Sequence, residues 1–138
     1  MTPTQQQSAN LIFLALCVWR ESRGESAEAQ LAVAYSILQR VARGGWWGTD
    51  VQSVIGKKWQ YSSMTAPGDP NLIVWPQSND PSWDACLNVA QAALTCSQPN
   101  PAPGADSYFD DSINPPGWAQ APASRVAKIG KLNFWRVG

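Results

Sequence analysis

Residues 11–34 read LIFLALCVWRESRGESAEAQLAVA: an apolar run, a charged junction, and a second run rich in alanine and branched aliphatics. Leu11, Leu14, Ala15 and Val18 recur at three- and four-residue spacing, which predicts a helix from Gln5 to about Arg23 with those side chains on its buried face. Gly24 supplies the stop, since a residue without Cβ leaves a helix at low steric cost. Ser26 then reads as an N-cap, with Glu28 in the first turn facing the positive end of the helix dipole. Leu31, Ala34, Ile37, Leu38 and Val41 make the second helix's apolar stripe, which Gly44 and Gly45 close. Two packed helices joined by a tight turn follow, with Glu21, Glu25 and Glu28 gathered around their junction.

Outward from this pair, residues 50–55 read as a short helical turn closed by Gly56. Residues 57–75 mix Ser, Pro and Gly with aromatics, the composition of a ligand-facing loop or irregular hairpin, and are expected to form a cleft wall. Asp80 before Pro81 is a cap followed by proline at the first helical position, and Trp83, Leu87, Ala90 and Leu94 carry a third long helix toward Cys96. Residues 99–104 form a surface connection and residues 106–110 a short strand. A turn at 115–118 precedes an extended or hairpin segment over 127–137, around Gly130. No repeat or linker interrupts the chain. The expectation is one domain over residues 1–138, of α+β class and mainly α, with helices around a small β-hairpin or irregular cleft wall.

Composition removes several kinds of chemistry. The chain of 138 residues has ten basic and ten acidic side chains and no histidine. Zero net charge provides no field to hold a phosphate backbone, so nucleic acid is not an expected partner. Without imidazole, Ser-His-Asp triads, Cys-His dyads and His-containing zinc sites cannot form. Cys17, Cys86 and Cys96 lack the fourth thiolate and the close spacing of a structural zinc site, so no metal and no cofactor is expected. The three are read as buried, reduced thiols with no bridge. The run from Leu11 to Trp19 resembles a signal-peptide core, but Met1 to Asn10 has no Lys or Arg, and Arg20 ends it well short of the roughly 20 apolar residues of a membrane span. A buried helix, no signal peptide and no stable membrane insertion are expected.

Acid–base work therefore falls to carboxylates, and glycoside cleavage is a reaction that carboxylates perform. It needs a carboxylic acid that keeps its proton near neutral pH, which partial burial provides. Glu21, following the apolar segment from Leu14 to Trp19 at the helix end, suits that need. Arg20 and Arg23 oppose it if they lie close, although Arg23 can instead pair with Glu25 or hold the neighbouring loop. Eight tryptophans add a second hint, because an indole is a flat apolar plate that stacks on the C–H face of a sugar as readily as it fills a core.

The stretch from Trp19 to Ser26, then Gln30-Leu31-Ala32-Val33-Ala34 and Gln39-Arg40-Val41, resembles the opening signature of the spore-cortex-lytic (SleB-like) cell wall hydrolases. Later pieces follow in the family's order: Trp59-Gln60-Tyr61-Ser62, Gly104 to Phe109, Pro116-Gly117-Trp118-Ala119, and Ile129-Gly130 with Phe134-Trp135-Arg136. The resemblance implies a lysozyme-like catalytic core acting on peptidoglycan glycan strands between N-acetylmuramic acid and N-acetylglucosamine. It places the catalytic acid/base at Glu21. In the lytic transglycosylase version one carboxyl group suffices, and the product is a 1,6-anhydromuramoyl end. A hydrolytic muramidase, a non-catalytic wall-binding module and an inactive virion protein remain alternatives. Histidines common in the family are replaced by Ser107, Phe109 and Leu132, so the chemistry cannot depend on imidazole at those positions.

Through the same resemblance, Gln60, Tyr61, Ser62, Tyr108 and Trp118 are expected to bind substrate. Gln60 and Ser62 would meet N-acetyl or hydroxyl groups, Tyr108 would touch the acetamido group or orient Glu21, and Trp118 would stack on a sugar. Glu25 is either a second carboxylate or, preferentially, a structural residue held by Arg23 or by backbone N–H groups of the second helix. Trp83 is read as core, Trp135 as core or wall, and at least one of Trp46 and Trp47 as exposed. The short single-domain format resembles a monomeric phage endolysin, made in the host cytoplasm and acting on the wall after release.

Overall fold

The computed structural model describes residues 1–138. Helix α1 (Pro3–Ser22) starts where Thr2 caps it: the Thr2 hydroxyl accepts from the Gln5 amide, and the Gln5 side chain accepts in return from Thr2 N–H. The expected start at Gln5 is thus two residues late, because Thr2-Pro3 is itself the start signal. From Leu14 to Arg20 every residue of α1 is buried, so its second half is surrounded rather than lying on the core by one face. Helix α2 (Ala27–Arg43) begins at the predicted cap, Ser26 accepting from Ala29 N–H at 3.1 Å, and ends at Gly44, whose φ of 63° is left-handed.

A 3₁₀ turn (Gly45–Trp47) leads to α3 (Val51–Ile55), which Asp50 caps. The next segment departs from expectation. Residues 57–75 contain no strand; they form the short helix α4 (Ser62–Thr65) and a 3₁₀ turn (Pro70–Ile73) capped by Asp69. Short-range capping by Asp69 and the Pro70 ring favour helical turns there over a ladder that would need an extended partner. Helix α5 (Pro81–Thr95) starts at Asp80 as predicted and packs against both α1 and α2. Trp19 fixes α1 to it: the indole is 3% exposed, and its N–H donates to Ser82 Oγ at 2.9 Å.

The sheet lies at the C-terminal end of the chain. Strands β2 (Ser124–Ile129) and β3 (Leu132–Arg136) form the predicted hairpin, with Gly130 left-handed at its turn, and β1 (Ser107–Asp110) pairs antiparallel with the other edge of β3. The order β1-β3-β2 leaves β1 with a free edge. An extra residue in β2 between Arg125 and Ala127 bends that strand, as a bulge does. Phe134, in the central strand, is fully buried and joins sheet and helices in one core; an aromatic side chain buried to this extent contributes roughly 1.5–3 kcal/mol of transfer free energy. The domain is α+β and mainly α. No helix is long and apolar enough to cross a membrane.

Candidate active site

Glu21 stands in the last turn of α1, half-buried, one turn beyond the fully buried Cys17. Both its carboxyl oxygens are engaged by hydroxyls from remote parts of the chain. Tyr108 donates to Oε1 at 2.6 Å, and Ser63 donates to Oε2 at 2.5 Å. The helix end, the α4 segment and the edge strand β1 therefore meet at this one side chain.

Each donor is held by its own neighbours. Tyr108 lies opposite Phe134 in the β1–β3 register, with ring centroids 5.8 Å apart, so the buried Phe134 ring sets the direction of the phenol. Burial first, and the Glu21 charge second, hold the Tyr108 phenol well above its ordinary value, which keeps it a hydrogen-bond donor. Ser63 is 1% exposed because the turn of α4 brings it inward. Arg20 fixes the surrounding backbone: its Nη1 donates to the Ser63 carbonyl at 3.3 Å and its Nε to the Val74 carbonyl at 3.1 Å, while the guanidinium stacks on Trp75. Arg20 and Arg23 form no ion pair with Glu21; Arg23 donates to Asn71 Oδ1 at 2.8 Å and stacks on Trp19, holding the 70–73 turn.

Beside this group opens a cavity of about 590 Å³, lined in part by Trp46, Trp47, Trp59, Gln60, Tyr108 and Trp118. Gln60 is oriented from behind by Arg40, a mostly buried side chain of α2. Arg40 Nη1 donates to Gln60 Oε1 at 2.9 Å, and its other nitrogens reach the Asp106 carbonyl and Ser107 Oγ. A guanidinium has donors only, so the amide must turn its oxygen toward Arg40 and leave its NH₂ on the other side. Trp118 stands edge-on to Phe109 at 5.8 Å and to Trp135 at 6.4 Å, which fixes the plane of its indole.

Of the expected site residues, Gln60, Tyr108 and Trp118 line one cavity, and Glu21, which does not line it, is joined to it by the hydrogen bond from Tyr108. Tyr61 has no place there: it is 2% exposed, sits under the Arg40 guanidinium, and has no surface to offer a sugar, so the expected substrate contact is corrected to a core position. Ser62 faces outward and donates to Asp69 Oδ2 at 2.6 Å, bracing the loop, while its neighbour Ser63 takes the place beside Glu21. Glu25 makes neither of the contacts expected of it. Its carboxylate lies against the hairpin turn, 3.7 Å from where a Cβ on Gly130 would be, and its main-chain oxygen accepts from Gln30 Nε2. Trp46 is exposed, whereas Trp47 is half-buried against Arg40 and Arg43.

Ser63 and Arg40 are residues of the candidate site to which the sequence reading gave no role. A pair of adjacent serines gives no sign of which faces inward. Arg40 did leave a signal, since it interrupts the apolar stripe of Ile37 and Val41, where a charge needs a buried partner. No group of three or more Cys, Asp or Glu side chains comes together in the structure as a metal cradle.

The profile of the cell wall hydrolase family matches residues 24–135, most of the chain. The chain belongs to the cell wall hydrolase family. The matched span of this cell wall hydrolase includes Gln60, Ser63, Tyr108 and Trp118 and opens three residues after Glu21, which is hydrogen-bonded to two matched residues, Ser63 and Tyr108. Neither a curated protein nor a solved structure gives a match. An enzyme acting on peptidoglycan is consistent with an aromatic cavity one of whose lining residues, Tyr108, is hydrogen-bonded to a carboxyl group.

Proposed function

We propose that this cell wall hydrolase cleaves the β-1,4 bond between N-acetylmuramic acid and N-acetylglucosamine as a lytic transglycosylase, with Glu21 as its only acid/base. The observation that carries the reading is the convergence of Ser63 and Tyr108 on Glu21, while Glu25 is turned to the Gly130 hairpin. Protonated Glu21 gives its proton to the glycosidic oxygen as the C1–O bond breaks and oxocarbenium character grows at the muramoyl carbon. The resulting carboxylate then takes the proton of the muramoyl C6 hydroxyl, whose oxygen attacks C1 and closes the 1,6-anhydro ring. Glu21 ends protonated, as it began. Hydroxyl rotors suit this cycle, because Ser63 and Tyr108 can both donate to the carboxylate, and the Ser63 hydroxyl can turn away when the acid carries its proton, which leaves that proton free for the glycosidic oxygen. Gln60 NH₂ is assigned to acetamido or hydroxyl oxygens and Trp118 to a sugar face.

The test is clearing of purified peptidoglycan by the native chain and by Glu21→Gln, with mass spectrometry of the products. Clearing by the native chain alone, with anhydromuramoyl ends, supports the proposal. Reducing muramoyl ends indicate a hydrolytic muramidase, and new free amines on intact glycan reject glycosidase action. Equal wall binding without clearing by either chain indicates a binding module. Strand cleavage of this kind weakens the wall enough to burst a cell, so a role in phage-induced host lysis, as a monomer without nucleic-acid partners, belongs to the same proposal; expression alongside a membrane-permeabilising protein tests it by culture lysis.

A further inference from the structure

Trp59 combines two features that packing does not require. Its φ of 74° lies in the left-handed region, where a bulky side chain is an outlier, and its indole is 80% exposed. The residue turns the corner of a tight bend in which Gln60 N–H donates to the Lys57 carbonyl at 3.2 Å. Glycine would occupy that corner without strain. Instead the chain holds a large apolar ring in water, immediately beside Gln60. Trp46, 66% exposed, lines the same cavity, which also holds Gln60 and Tyr108. Lys58 Nζ lies 4.9 Å from the Trp59 ring centroid and Lys57 Nζ 4.3 Å from that of Trp46, so each indole is steadied by a cation over one face.

We propose that Trp59 and Trp46 form an outlying saccharide subsite at the mouth of the cleft, which takes a further N-acetylhexosamine of the strand whose cleavage is assigned to Glu21; the inference rests on that assignment. The occupant follows from continuity, since Tyr108 ties the cavity to Glu21 while the two indoles line the same space. It follows also from chemistry: an indole presents a plate to the apolar C–H face of a pyranose, and the adjacent ammonium groups meet the carboxylates of the peptide stems that muramoyl sugars carry. Such a subsite makes the enzyme favour long strands over short fragments.

The experiment compares kcat/KM on a tetrasaccharide and a dodecasaccharide of peptidoglycan glycan, with affinities for both measured in the Glu21→Gln background. Trp59→Gly and Trp46→Ala are each expected to shrink the preference for the longer substrate by about threefold to tenfold. Trp59→Gly should melt no lower than the parent, because glycine relaxes the backbone at that corner. An unchanged length preference in both variants overturns the subsite. Equal losses at both lengths with a lowered melting temperature overturn it too, by showing a structural role. Loss of binding to anionic lipid vesicles with the length preference intact would mean that the indoles meet a membrane surface instead. Failure of the glycan-cleaving reading looks different: Glu21→Gln then matches the parent in turnover, and neither fragment binds.

Discussion

Tyr108 and Glu21, 87 positions apart, share a hydrogen bond of 2.6 Å that joins the edge strand β1 to the end of α1. The contact fixes one carboxyl oxygen of Glu21 against a residue that lines the cavity, and Ser63 fixes the other. Replacing Tyr108 by Phe keeps the ring packed against Phe134 and removes only the donor. A hydrogen bond to an ionised group contributes about 1.5–3 kcal/mol, so kcat for wall clearing should fall roughly tenfold to hundredfold with little change in melting temperature. Ser63→Ala should act in the same direction, and the double variant should lose less than the product of the two, because both hydroxyls hold one carboxyl group.

Arg40 predicts a different pattern. Its guanidinium donates to Gln60, to the Asp106 carbonyl and to Ser107 from a position that is 8% exposed. Arg40→Met leaves those acceptors without their donor and should cost about 3–5 kcal/mol of stability by chemical denaturation. Arg40→Lys retains the charge but not the planar fork, and so should recover part of the stability while KM for glycan stays raised, since a single ammonium cannot hold Gln60 and the strand together.

Alkaline pH should unfold the protein through buried neutral groups. Burial raises the Tyr61 and Tyr108 phenols and the Cys17 thiol, and pushes the Cys86 thiol up to about 11. Each folded-state value lies above its unfolded one, so the native state holds these protons more tightly. That stability is complete below the unfolded values, near 8.5 for thiols and 10 for phenols, and drains away as pH rises through them toward the folded values. Melting temperature measured from pH 7 to 11 should therefore hold until about pH 8.5 and fall beyond it. The Tyr61 hydroxyl is buried with no hydrogen-bond partner, so Tyr61→Phe should raise stability at pH 7 by about 1 kcal/mol and flatten the alkaline slope.

Thiol labelling separates the three cysteines. Cys17 and Cys86 are buried, but Cys96, at the left-handed cap of α5, is exposed, which corrects the expectation of three buried thiols. One equivalent of a thiol reagent should react with the native protein, at Cys96, and three after denaturation. Rapid reaction of a second native thiol would show that the core around α1 and α5 opens locally.

Much of the architecture was set by local rules that act within a few residues. Ser26, Gly44 and the Asp80-Pro81 pair mark helix ends wherever they fall, and Gly130 sits at a turn that a side chain would strain, so α2, α5 and the β2–β3 hairpin were legible in the sequence. Glu21 stood out in the sequence as a candidate, through its place beside an apolar run and its resemblance to a family signature. Tertiary structure alone decided what surrounds it. Whether Ser62 or Ser63 turns inward depends on how the α4 segment docks on Arg20. Tyr61 is buried because α2 brings Arg40 over its ring, and Glu25 faces Gly130 because the hairpin packs beside the α1–α2 turn. These outcomes arise from contacts between residues tens of positions apart, and neither composition nor periodicity carries the direction of a side chain across that distance.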